Sequence, residues 1–185
     1  WLLLFFAVLA MGQRDPVLVP EVSQHEVQVR QGFTGTELLL FGAIIDPIAQ
    51  RTGGRYDIVV VLKGPSEPIR VREKERIAGV WLNAEDTDFR SAPSFFAVAS
   101  SRPIEQIVDE KTAAIYEFGT SYIQLSPSGV IDTEEQARFA AGLVDLKTRQ
   151  GLYKELVGGV TISEEVLYQA RIELPSNVTT GIYTA

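Results

Sequence analysis

Arg70, Arg72, Lys74 and Arg76 stand at every second position of the stretch Ile69-Arg-Val-Arg-Glu-Lys-Glu-Arg-Ile77. In a β-strand, residues two apart point to one face. Four cations would line one face of one strand, in a chain of 185 residues whose formal net charge is −7. Such a row could hold an oxyanion, because a planar guanidinium donates two parallel hydrogen bonds to one acceptor group. Arg70, Arg72, Lys74 and Arg76 are therefore the candidate anion-binding residues. The anion would be a sulfur oxyanion, a phosphate or an acidic lipid headgroup. The plainer reading is a solvated edge strand whose charges block edge-to-edge association, with Glu73 and Glu75 on its other face. A convex, exposed row attracts anions weakly and in a salt-sensitive way.

Other side chains carry less chemistry. Trp81 beside Leu82 reads as a packing or interaction residue. Asn83, before Ala84-Glu-Asp86, reads as a turn residue or a second interaction candidate. His25 is the only histidine and stands beside Glu26, with no partner visible in the sequence. Ser100, Ser101 and Arg102 follow an apolar run and precede a helix-like segment, where a helix N-terminus could take an anion or be capped. Asp86, Asp88, Asp109 and Glu110 lack the spacing of a calcium loop. The chain has no cysteine, which removes disulfides and thiolate chemistry. No catalytic residue, metal site or cofactor is expected. The negative balance argues against nucleic acid as a partner.

The elements that would position these residues are mostly strands. His25 to Arg30 alternates polar and apolar, the pattern of a half-buried strand. Thr36 to Ile45 is an apolar run and reads as a more fully buried strand. Asp57 to Lys63 is β-branched and bounded by turn residues. The cation-bearing strand follows a Gly64 to Pro68 turn, and Val80-Trp-Leu82 is a separate short apolar piece. Phe95 to Ser100 is a further strand. Pro103 then opens a helical pattern, and Asp132-Thr-Glu-Glu135 has the form of an N-cap before a second helix that stops at Gly158-Gly159. Glu165 to Leu174 is a late strand, and Gly181 to Ala185 begins another. The expected fold is mostly β with a helical insertion at about 103–157. In detail it is an immunoglobulin-like sandwich of residues 17–185, interrupted by two helices.

Trp1 to Ala10 is apolar and uncharged. It reads as a secretory signal or as a membrane segment spanning 1–12, and it is short for a bilayer crossing, which takes roughly 20 residues.

At Lys74-Glu-Arg-Ile-Ala-Gly-Val-Trp-Leu-Asn83 the chain resembles Alph_Pro_TM, a family of transmembrane proteins from alphaproteobacteria. Leu40-Phe-Gly-Ala43, Asp57-Ile-Val-Val-Val61, Gly64-Pro65, the run from Ala92 to Pro103, Glu173-Leu-Pro175 and Gly181-Ile-Tyr183 carry the same resemblance. The resemblance implies a signal segment, an extracytoplasmic domain and a transmembrane helix beyond Ala185. It would place the domain at the periplasmic face of the inner membrane, and family members encoded near sulfite-exporter-type permeases would give it a transport-associated role, with a membrane transporter protein as the expected partner. It supplies no catalytic residue.

Overall fold

The computed structural model of the protein describes residues 16–46, 55–77, 79–129, 132–164 and 166–185, without the side chains of 75, 77 and 81–84. The expected signal or membrane segment, 1–12, lies outside the described residues. The strands are β1 (Val17–Val22), β2 (Gly35–Ile45), β3 (Val59–Lys63), β4 (Ser66–Ile77), β5 (Val80–Pro93) and β6 (Phe96–Ser100), followed by β7 (Ser126–Pro127), β8 (Tyr153–Val157), β9 (Val160–Ser163) and β10 (Leu167–Pro175). Helices α1 (Glu110–Tyr116) and α2 (Thr133–Arg149) lie between β6 and β8. The architecture is thus mostly β with a helical insertion, as the sequence implies.

The strands form three sheets in the orders β1-β2-β10-β9, β3-β6-β8 and β4-β5-β7. The first two face each other as an open sandwich. Alternation along β2 and β10 turns Leu38, Leu40, Ile44, Tyr168, Ala170, Ile172 and Leu174 inward, where they meet Leu62 of β3 and the run Phe95–Ala99. β6 is central in its sheet and buried along its length. It pairs with β8 in parallel. A parallel pair needs a long crossover, commonly helical, and the helical insertion supplies it. The parallel pair is a feature that the immunoglobulin-like expectation does not include.

Helix α2 begins where Asp132 accepts a hydrogen bond from the Glu135 N–H at 2.8 Å. Glu134 and Glu135 then lie in the first turn and Lys147 and Arg149 in the last, which complements the helix dipole. Phe139 and Leu143 of α2 join Phe89 and Ala92 of β5 in a second, smaller core, while Val144 packs on the sandwich. One helix therefore ties the β4–β5 ribbon to the sandwich.

Four expectations are corrected. Residues 25–30 join no ladder: β1, one segment earlier, takes the edge of β2, and the Ser23 N–H to Leu39 carbonyl bond closes that pairing. Val80-Trp-Leu82 is the start of β5, a 14-residue strand paired antiparallel with β4. The second helix stops at Arg149, where Gly151 takes a positive φ of 71°; Gly158, with φ 73°, turns β8 into β9. Gly181 to Ala185 makes a single bridge, Thr184 to Lys63.

Candidate functional site

The cation-bearing strand is an edge strand, β4, and its one neighbour β5 explains what its charges do. Arg70 pairs in register with Asp88 and Arg72 with Asp86. Arg70 donates through Nε and Nη2 to the two Asp88 carboxylate oxygens at 2.6 and 2.7 Å, with Asp86 3.7 Å away. These bonds hold the Asp88 carboxyl below the usual carboxylate range, and the Arg72 charge adds to the effect. Two of the four cations thus face carboxylates of their own chain. Lys74 and Arg76 are exposed and stand opposite Asn83 and Trp81. The side chains of Trp81 and Asn83, the two interaction candidates, lie outside the described residues.

The other face of the ribbon turns to α2. Ile69 and Val71 pack on the second core. Farther out, Glu73 and Glu85 stand directly opposite each other. Like charges so placed repel. Arg138 of α2 bridges them, 2.9 Å from Glu73 and bonded to Glu85. At the root of the ribbon, Lys147 is 5% exposed and donates to Glu67 at 2.9 Å. The ribbon's charges are therefore structural on both faces, apart from those near its tip.

The turn after β6 holds an anion, and the anion is internal. Arg102 donates to both oxygens of Asp57 at 2.8 and 2.6 Å, and the Ser101 hydroxyl adds a bond at 3.0 Å. Arg102 first, and Ser101 after it, hold the Asp57 carboxyl below its ordinary range against the opposing effect of burial. His25 lies 3.2 Å from Glu21, and both side chains are largely exposed. Asp109 caps α1 through the Thr112 N–H. Among the described residues no group of three or more His, Cys, Asp or Glu is placed to hold a metal ion.

A surface that the sequence reading missed lies on the outside of the four-stranded sheet. Thr36 to Ile45 reads as buried, yet β2 is covered on one face only. Leu39, Phe41, Ala43 and Ile45 point outward, and Val17, Val19 and Leu167 stand beside them in register. Phe41, Ile45, Val17, Val19 and Leu167 are 38, 48, 54, 47 and 53% exposed. Along the same face the polarity changes, because Glu37, Arg171 and Glu173 occupy the far end. An outward-facing sheet surface is ordinarily polar.

A family model described as "Putative transmembrane protein (Alph_Pro_TM)" matches residues 17–185. No curated protein and no solved structure matches the chain. Among the described residues no helix is long and apolar enough to cross a membrane.

Proposed function

Because the chain belongs to the Alph_Pro_TM family, we propose that it is a membrane-anchored domain at the periplasmic face of the inner membrane, with a non-catalytic role in binding a membrane protein such as a transporter. The observation that carries this reading is the apolar outer face of the four-stranded sheet. Contiguous exposed apolar surface rimmed by charge marks interaction sites in folded proteins. Phe41 is an aromatic residue at its border, flanked in register by Glu21 and Gln169, and aromatic residues recur among the side chains that dominate binding energy. Nucleic acid is not a partner in this reading, and neither a cofactor nor a metal enters it.

The test is co-purification from solubilised membranes with wild-type protein and with the Phe41→Glu, Leu167→Glu double variant. Both positions are exposed, so the variant is expected to fold. The reading expects a specific membrane protein with the wild type and its loss with the variant. Equal recovery from both would refute it.

A second reading, an anion-binding module on the Arg/Lys stripe, draws its support from Lys74 and Arg76, which are exposed and stand opposite uncharged residues. Calorimetry with sulfite, sulfate and phosphate at low salt tests it. Saturable heat that disappears in Lys74→Ala, Arg76→Ala would favour it.

A further inference from the structure

Root and tip of the β4–β5 ribbon differ in what holds them. Among the described residues the outermost side chain bonded to the ribbon from outside it is Arg138, at Glu73 and Glu85. Four rungs follow beyond that bridge: Lys74 with Asn83, Glu75 with Leu82, Arg76 with Trp81 and Ile77 with Val80. They carry the paired strands roughly 13 Å farther, at about 3.3 Å per residue. The register shift between Glu73 and Lys74 marks where this outer part begins. A bulge bends and twists the strands it interrupts, so the tip is turned relative to the part seated on α2.

The charges differ as well. Arg70 and Arg72 stand opposite Asp88 and Asp86, whereas Lys74 and Arg76 stand opposite Asn83 and Trp81. Lys74 and Arg76 are exposed, and no carboxylate among the described residues pairs with either. Arg76 Nε makes one long approach, 3.5 Å, to the Gly79 carbonyl at the turn. With Glu75 counted, the four rungs hold two cations and one anion, in a chain of net charge −7. The turn itself is apolar in sequence. Ile77 stands opposite Val80, which is 59% exposed, and Trp81 and Leu82 come next in β5. Apolar residues at the end, a tryptophan beside them and cations just behind reproduce the order of groups across a membrane interface. There apolar side chains reach the acyl boundary, tryptophan lies at headgroup depth and cations meet anionic headgroups. A small dissolved anion is held in a concave site, whereas a protruding hairpin end suits a soft surface.

We propose that the tip of the β4–β5 ribbon is a membrane-contact wedge. Ile77, Val80, Trp81 and Leu82 enter the interfacial layer of a bilayer that contains anionic phospholipid, and Lys74 and Arg76 bind its headgroup phosphates. The proposal rests on the free cations of the second reading and assigns them a lipid surface in place of a dissolved anion. An anchored chain keeps the tip at high effective concentration beside the bilayer, so a weak contact is enough to fix how the domain stands on it. The tip shares no residue with the apolar outer face.

Trp1 and Trp81 are the two tryptophans of the chain, so Trp1→Phe leaves Trp81 as the sole reporter. Its emission is read in the full chain with vesicles of phosphatidylcholine and with vesicles that also contain phosphatidylglycerol, with and without brominated acyl chains. Reading Trp81 itself separates contact at the tip from attachment by any other part of the chain. With phosphatidylglycerol the emission should move to shorter wavelength and be quenched by the brominated lipid. Quenching should be weaker with phosphatidylcholine alone and should fall at high salt, comparisons that need no further variant. Lys74→Glu, Arg76→Glu should reduce it by about fivefold or more, because each cation near an anionic surface contributes to binding. Absence of quenching in the phosphatidylglycerol vesicles overturns the proposal, and so does equal quenching in the charge-reversed protein. A saturable emission change with phosphate or sulfate alone, and none with vesicles, would return the cations to the second reading and overturn the wedge. A shift produced by solubilised membrane proteins and not by protein-free vesicles would assign the tip to a protein partner and overturn it as well.

Discussion

Phe95, Phe96, Ala97 and Ala99 in the sandwich expose none of their surface, and the neighbours that cover them are aliphatic side chains and the rings of Tyr153 and Tyr183. Along the β4–β5 ribbon the side chains that meet neighbours are mostly charged: Arg70 with Asp88, Arg138 with Glu73 and Glu85, Lys147 with Glu67. Burial of apolar surface stabilises in proportion to area and without direction. Exposed ion pairs add little to stability and demand a fixed geometry. The sandwich therefore carries the stability of the molecule, while the ribbon's charges fix its register and its seat on α2.

Truncation in the sandwich should produce the largest effect. Phe96→Ala removes a fully buried ring and is expected to cost about 3–5 kcal/mol, measured by urea denaturation. A loss no greater than that of a ribbon variant would break the contrast between the regions. Among the described residues Lys147 is the one charged partner of the ribbon buried from solvent. Lys147→Ala strands Glu67, and because that carboxylate keeps 34% exposure the cost should be about 2 kcal/mol, below the range for fully buried pairs. Lys147→Met, which keeps the volume of the stem, should recover part of it. Removing the N-cap that starts α2, with Asp132→Ala, should cost about 1 kcal/mol and loosen both cores together, visible as one cooperative transition at a lower midpoint.

Acid acts on both regions with the same sign. Asp57 and Asp88 have folded-state pKa values below their ordinary ones, through Arg102 and Arg70 respectively. A depressed carboxyl contributes stability above its unfolded pKa, about 3.9, and loses it as pH falls through the folded value. Wild-type Tm should decline as pH drops below about 4, and Asp57→Asn, Asp88→Asn should flatten that decline. A parallel decline in the variant would show that other carboxylates govern it. The smallest effect is expected from salt. Added sodium chloride should alter the ribbon's exchange rates at Val71 and Thr87 more than those at Val98, because screening reaches exposed pairs and not a dry core.

Much of the sandwich was legible in the sequence and little of the ribbon was. Asp57 to Lys63 and Phe95 to Ser100 read as strands because their apolar runs have no other use. Asp132 with Glu135 read as a helix start because the cap is local in sequence. The ribbon depends on pairing across a turn. Ile77 pairs with Val80 at its tip, and an unbroken hairpin from that pair would set Thr87 opposite Arg70 and Glu85 opposite Arg72; the register shift between Glu73 and Lys74, which no sequence signal announces, brings Asp88 and Asp86 there instead. The helix end was misread because Gly158-Gly159 is the louder signal, while Gly151, with its positive φ, stops the chain one strand earlier. The bare outer face of β2 had no reading at all. An apolar run looks the same whether it is covered on one face or on two.

That bare face bears directly on function, and a crosslinker placed on it gives the most direct test. A photoreactive phenylalanine analogue at position 41, on the border of the apolar end, is compared with one at position 173, at the charged end of the same face. After illumination of intact membranes, the account predicts a discrete adduct with a membrane protein from position 41 and none from position 173. Adducts of equal yield from both positions, or none from position 41, would contradict it.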